Sequence, residues 1–343
     1  MQELNFFTKE QLHGFVKARK GETKLGEKIN LYEPSNVRKL EEQKKKGARF
    51  AILGIPESIG ALGNFGRSGS EIAFNAFLNG FLNIQSNRFL SGKEFVLFGE
   101  IKTEKLQEKA SQLKDGSDFY HQKLHVLCDE LDELVSPVIQ QIIALGLTPI
   151  VIGGGQNNTF PILKGVSAAH KLKKGLNCIN MDAQADFRSL EGRHSGNGFS
   201  YAKQHGYLNK YAVFGLHENY NPEYMLKTMG ADETIHYQFL EQITYLDKRL
   251  IESIGFVYHD VIPSGVELDL KAVRMMPASI TSPSGFSLEQ ARHYVRKCAE
   301  GLNVAYLHLS EAAPQNPFEE EVVGKALAYL VTDFVKASLE KGI

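Results

Sequence analysis

The stretch "LNCINMDAQADFRS", residues 176–189, runs an unbroken apolar segment straight into two aspartates four apart, Asp182 and Asp186, with Gln184 midway between them. Apolar interiors do not favour a pair of carboxylates. The boundary at Asp182 therefore reads as the end of a buried strand and the start of a polar rim. Five other runs have the same character: "RFAILGI" (49–55), "TPIVIGG" (148–154), "KYAVFGL" (210–216), "SGVELDL" (264–270) and "VAYLHLS" (304–310). Most are continuous rather than alternating, as strands covered on both faces should be. Between them lie helical patterns at 70–82, 121–145, 158–173, 287–300 and 319–341. The fourth opens on Ser287 with Gln290 three residues on, a capping-box pattern.

Strands and helices alternating at this spacing require crossover connections, hence a mainly parallel sheet with helices on both faces, a three-layer α/β/α fold. The polar segment 101–118 is expected to be a surface loop or a helix tip. No repeat, linker or composition break divides the chain. A lead-in over residues 1–47 and a single α/β domain over 48–343 is the expected organisation.

Bulk properties narrow the function. The 343 residues are 43% hydrophobic and carry 39 basic against 40 acidic side chains, a net charge of −1 that offers no general attraction to nucleic acid or anionic membranes. The basic run Lys44–Lys46 sits beside Glu41 and Glu42 and reads as a solvated helix end. Cys128, Cys178 and Cys298 are odd in number and far apart, which fits neither a disulfide framework nor a thiolate metal site. The N-terminal segment lacks a signal-peptide pattern, and no stretch reaches the ~20 apolar residues of a membrane span. A soluble, reduced, cytoplasmic protein is expected.

In a parallel sheet of this kind, ligands bind beyond the carboxyl ends of the strands. Those ends carry "PESIGALGNFGRSGSEIAF" (56–74), "GGQNNTFP" (154–161), "AQADFRSLEGRHSGNGF" (183–199), "HENYNPEY" (217–224) and "SEAAP" (310–314), while strand 264–270 itself bears Glu267 and Asp269. If the strands are neighbours, Asp182, Asp186, Glu267 and Asp269 converge, with Gln156, Gln184 and Glu311 close by. Clustered carboxylates raise one another's pKa. Two remedies exist: a bound cation, or protons and hydrogen bonds helped by Arg188 or Lys271. Gly60, Gly63, Gly66 and Gly69 have neither dinucleotide nor Walker spacing, so a tight strand-to-helix turn is preferred to a phosphate cradle.

These blocks resemble the ureohydrolase family of arginase, agmatinase and formimidoylglutamase, over about residues 50–341. "LGIPESIGALGNFGRSGSEIAFNAF" is similar to the family's G-x-P block with its N-x-G-R-x-G segment. "GGGQN" stands where the family has G-G-x-H, "DAQAD" where it has D-A-H-x-D, and "ELDL" where it has D-x-D. "PASITSPSGFSLEQ" and "EAAP" match the blocks that follow. The resemblance implies an arginase-like fold and a manganese pair activating water for attack on a guanidinium or amidine carbon. It also implies a homo-oligomer, a trimer or hexamer, with a small-molecule amidine or guanidine ligand.

Carried over residue by residue, the metal ligands fall on Gln156, Asp182, Gln184, Asp186, Glu267 and Asp269. Asp186 and Glu311 take the catalytic positions, Glu311 where the family holds the cationic end of its substrate. Arg188, His194, Asn197 and Asn219 are substrate-contact candidates, and Tyr220 a weaker one. Phe199 stands where arginases proper carry a histidine. With Arg188 after "DAQAD", this leans towards formimidoylglutamases and hydrolysis of an amidine such as N-formimino-glutamate.

Two ligand histidines are glutamine here, and one aspartate is glutamate. An amide oxygen is a weak donor for manganese, whereas an all-oxygen set suits a single magnesium or calcium. Three states follow from the residues: a manganese pair, one hard cation, or no metal. With them go two functional readings, an impaired hydrolase and an inactive family member used for ligand binding or assembly. His217 and His308 are either structural or replacement ligands, the structural role being preferred.

Overall fold

The computed structural model describes residues 3–117 and 119–341; the extreme ends of the lead-in, the α/β domain and the 101–118 segment fall outside the described residues. Ten strands form one sheet: β1 (Leu4–Asn5), β2 (Asn30–Leu31), β3 (Phe50–Gly54), β4 (Phe95–Ile101), β5 (Thr148–Ile152), β6 (Leu176–Met181), β7 (Leu208–Leu216), β8 (Ile235–Phe239), β9 (Ser264–Asp269) and β10 (Val304–Ser310). Their order is β1-β4-β3-β5-β10-β9-β6-β7-β8, with β2 also on β4, and every pairing is parallel except β1 with β4.

Period-two alternation sorts each strand between two cores. Ile150, Ile179, Val266 and Leu307 face one core, closed by the helices Ala73–Phe81, Leu246–Val257, Leu288–Gly301 and Pro317–Glu340. Val151, Cys178, Val213 and Tyr306 face the other, closed by Tyr120–Ala144, Thr159–His170, Gly198–Gln204 and Glu223–Gly230. Both faces are covered, which is why the runs are apolar throughout. The chain is thus a three-layer α/β/α protein.

Several elements depart from the sequence expectation. The segment expected as a loop or helix tip closes β4 at Ile101 and then forms the helix Glu104–Ser111, whose Leu106 and Ala110, one turn apart, are buried. Strand β4, "FVLFGEI", β8 and the helix Leu246–Val257 are not expected from the sequence, whereas the helix Val37–Lys45 ends at the basic run that reads as a helix end. Residues 4–5 and 30–31 of the lead-in add strands at the sheet edge. The Ser287–Gln290 capping box is present as expected.

The strand register positions the site. Asn180, Glu267 and His308 are direct neighbours across β6, β9 and β10, and Asp269 pairs with Ser310 one pleat further on. Asp182 follows β6 immediately, so a polar column climbs the middle of the sheet to its carboxyl edge. One pleat below, Gly265 lies between Cys178 and Tyr306. A Cβ on Gly265 would stand 2.5 Å from the Tyr306 ring. The missing side chain lets that ring lie flat enough for its hydroxyl to donate to Glu267 Oε1 at 2.6 Å.

Gly265→Ala is therefore expected to displace the Tyr306 ring and to destabilise the fold by about 1–3 kcal/mol in urea denaturation, the usual cost of overpacking. An unchanged urea midpoint would show that the ring is not confined there.

Candidate functional site

Asp182, Asp186 and Asp269 each present a carboxylate oxygen within 4.8 Å of the other two, a constellation that could hold a metal ion. All three are buried. Asp182 accepts from the Gln184 backbone N–H at 2.9 Å and the Asn180 amide at 3.1 Å. Asp269 accepts from the Lys271 backbone N–H at 2.7 Å. Asp186 and Glu311 adopt left-handed backbone with φ of 45° and 65°, a strain of order 1 kcal/mol or more that persists only when the surroundings fix it.

Among these acids lies a cation of the chain's own. The Lys271 ammonium is 3.0 Å from Asp269 Oδ2 and 3.7 Å from Asp186 Oδ2, and donates to Gln184 Oε1 at 3.3 Å. It is 4% exposed. Burial alone would lower its pKa, but Asp186, Asp269 and Glu311 together raise it, so it stays charged. One ammonium does not offset every carboxyl. Burial first, and then mutual repulsion, push Asp182 and Asp269 well above the usual carboxylate range. Burial, opposed by Lys271 and reinforced by Asp269, brings Asp186 to about 7.

Two of the other expected ligands, Glu267 and Gln156, form a separate network, while Gln184 stays with Asp182 and Lys271. Glu267 receives Tyr306 Oη on Oε1 at 2.6 Å; its Oε2 lies 2.6 Å from His308 Nδ1 and accepts from Gln156 Nε2 at 3.1 Å. Gln156 also donates to Thr159 at 3.0 Å and accepts from the Ser310 hydroxyl. Glu311 accepts from the Gln156 backbone N–H at 2.7 Å and from the Ser279 hydroxyl. His308 thus engages Glu267 through Nδ1, while its Nε2 is buried without a hydrogen-bond partner.

The surrounding loops are fixed from beneath. Arg193 bonds Asp132 at 2.8 and 3.2 Å, the Asn157 carbonyl at 2.7 Å and Asn197 Oδ1 at 3.1 Å, and its guanidinium lies over the rings of Phe160 and Tyr201. Glu57 fills the turn of the Gly-rich loop, accepting from the N–H groups of Ile59, Gly60 and Gly155 and the amides of Asn157 and Asn158. An internal carboxylate thus holds the backbone donors there.

Of the substrate-contact candidates, His194 is buried, accepts from Gly196 N–H and lies 3.2 Å from Glu191; burial and the neighbouring His125 push it down to about 4, so it is neutral near pH 7. Asn197 uses its amide on Arg193, His194, Ser189 and Gly192. Arg188 is half-buried beside Gly196, and Asn219 and Tyr220 are exposed on the turn Glu218–Tyr220. His217 stacks on Tyr220, and Phe199 stacks on Tyr211 at 4.1 Å. Tyr306, Ser310, Asn180 and Ser279 escaped the sequence reading. The first three were detectable, because alternation along β6 and β10 puts them on the face of Glu267.

The raised carboxyl pKa values set the sign of a pH effect. Between the ordinary carboxyl value of about 4 and the value of about 7 for Asp186, the folded state binds more protons than the unfolded chain, so stability falls as pH rises through that window. Melting temperature is expected to decline from about pH 5 to about pH 8, and Asp186→Asn to flatten the decline. A flat or rising wild-type profile would contradict the charge assignment.

Comparison with known proteins agrees with the architecture. The arginase family model matches residues 48–335. A formimidoylglutamase of Chromobacterium violaceum is 29% identical over 161 residues, 45% of this chain and 51% of that protein. A formimidoylglutamase of Geobacillus thermodenitrificans is 29% identical over 218 residues, 59% of this chain and 62% of that protein. The match therefore spans about half to three-fifths of these relatives. The formimidoylglutamase structure from Bacillus subtilis superposes with a TM-score of 0.74 at 13% identity, covering 95% of each chain. That of Trypanosoma cruzi formiminoglutamase with Mn2+ gives 0.70 at 18% identity, over 92% of this chain and 98% of the other. With a family model matched across most of its length and this fold, the chain belongs to the arginase family and is formimidoylglutamase-like.

Proposed function

We propose that this chain is a member of the family that does not perform manganese-dependent hydrolysis, and that it uses the site for ligand binding or assembly. One observation carries the reading: both oxygens of Glu267 and the whole amide of Gln156 are engaged by Tyr306, His308, Thr159 and Ser310 and by each other. A two-metal centre needs donors around two positions ~3.5–4 Å apart. Here the aspartates remain for one position, and a lysine stands among them. The residues present do not fit a manganese pair.

With more carboxyls than the single ammonium can neutralise, protons held on the aspartates are exchangeable for a small cationic ligand, an amidine or guanidine, approaching past the half-buried Gln184 and Arg188. His194, Asn197, Asn219 and Glu311 complete the proposed surroundings. A homo-oligomer, trimer or hexamer, belongs to the same reading, as does a cytoplasmic setting. Among the described residues no helix is long and apolar enough to cross a membrane.

A hydrolase of linear amidines is the second reading. It is favoured by the convergence of Asp182, Asp186 and Asp269 and by the formimidoylglutamase names of the relatives. In it, one magnesium, calcium or manganese ion sits on the aspartates, and Asp186 and Glu311 act on the substrate.

The test is N-formimino-glutamate incubated with the full-length protein, with and without added Mn2+, and formamide followed by proton NMR. No release above the protein-free blank is expected in either case. Manganese-dependent release that disappears in Asp182→Ala would establish the hydrolase reading instead.

A further inference from the structure

We infer that the Lys271 ammonium is a built-in replacement for a metal ion, and that Asp182, Asp186 and Asp269 form a latent one-ion site which opens when the lysine is removed. This rests on the reading that the chain does not take up the manganese pair. It adds which residue prevents it, and what the site becomes without that residue.

Two observations carry the inference independently of the acidic cluster itself. The first is placement. Lys271 lies two residues beyond Asp269, on the turn Leu270–Ala272 that follows β9, and its side chain folds back over that carboxylate to lie 3.0 Å from Asp269 Oδ2 and 3.7 Å from Asp186 Oδ2. Its third contact is Gln184 Oε1 at 3.3 Å. The ammonium therefore touches two of the three aspartates and the amide between Asp182 and Asp186. A small cation bound to this group would use the same oxygens.

The second observation concerns those oxygens. Asp186 Oδ2 and Asp269 Oδ2 are fully shielded from solvent, yet neither accepts a hydrogen bond. Buried carboxylate oxygens are ordinarily satisfied by donors. These two face the ammonium by charge alone, without donor alignment, which is how a carboxylate faces a spherical ion. Asp182, by contrast, has both oxygens hydrogen-bonded. It needs only to turn or share one of them to complete a three-carboxylate, all-oxygen set, the chemistry that divalent hard cations and manganese accept.

Substituting a tethered ammonium for an ion has a consequence for dependence on solution conditions. A bound metal leaves when chelated, whereas Lys271 cannot. Wild-type stability is thus independent of EDTA, and added Mn2+ finds the position taken and guarded by a like charge.

The experiment is a metal titration of the full-length chain as wild type, Lys271→Ala and Lys271→Arg. It uses Mn2+ and then Ca2+ as the only added probes, with calorimetry, ions retained per chain after desalting, and melting temperature as readouts. Lys271→Ala is expected to retain one ion per chain and to melt higher in Mn2+. Its Mn2+ affinity should exceed that of wild type by at least about a thousandfold, the repulsion of two unit charges roughly 4 Å apart at moderate screening, which the double charge of Mn2+ only increases. Wild type and Lys271→Arg are expected to retain none.

Uptake of an ion by wild type as tight as by Lys271→Ala would overturn the inference, because the lysine would not be the obstacle. So would a folded Lys271→Ala that binds nothing. If Lys271→Ala folds only when Mn2+ is supplied, the inference is supported. If it fails to fold with and without Mn2+, the inference is overturned, since a latent site predicts rescue. Amidine turnover by wild type bears on the preceding reading and is scored apart from these binding results.

Discussion

Lys271 pointing inward, onto Asp269 and Asp186, is the contact on which the polar edge of the sheet depends. The strand register puts Asp182, just past β6, beside Asp269 at the end of β9, and the following turns add Asp186 and Glu311. Unaided, that much buried carboxylate is strongly unfavourable. A single fixed ammonium, with protons retained on the most crowded aspartates, makes the arrangement tolerable without any ligand. The same logic explains why Asp186 is brought to about 7 rather than left in the ordinary range.

The rest of the rim repeats this use of internal groups in ligand-like positions. Glu57 fills the backbone donors of the Gly-rich turn. Glu267, one pleat below the aspartates, is held by Tyr306, His308 and Gln156, and Gly265 is the position that admits the Tyr306 ring. Arg193, paired with Asp132 in the interior, ties the loop after β6 to the loop after β5. Breaking a buried pair of this kind typically costs about 3–5 kcal/mol, so these loops are set firmly by the core beneath them.

Much of this was legible from the residues. Mostly apolar runs ending at Asp182, Asp269 and Ser310 point to parallel strands covered on both faces and to the edge where they stop. That β9 lies between β6 and β10 is a condition in the sequence reading, and the structure supplies it. Strand β4 is less legible because its apolar run, "FVLFGEI", carries none of the motifs that mark the other strand ends. The segment 101–118 reads as a surface loop or a helix tip because only Leu106 and Ala110 of the helix Glu104–Ser111 are buried, too few for an apolar stripe to show in the sequence.

In the site, the three aspartates and Lys271 were visible in sequence, but the choice between an external cation and an internal one was not. That choice depends on the direction in which a long, flexible side chain folds. The division of the six expected ligands into a group of three aspartates with Gln184 and a Glu267–Gln156 network was equally hidden. It accompanies the partners that Tyr306 and His308 supply to Glu267 across strands.

The most direct test of an internal cation in place of the metals is diffraction from wild-type crystals grown in Mn2+, with anomalous data collected at the manganese edge. The account predicts no anomalous peak among Asp182, Asp186 and Asp269, and density for the Lys271 side chain reaching between Asp269 and Asp186. One or two strong peaks there, with Lys271 turned away, would contradict it.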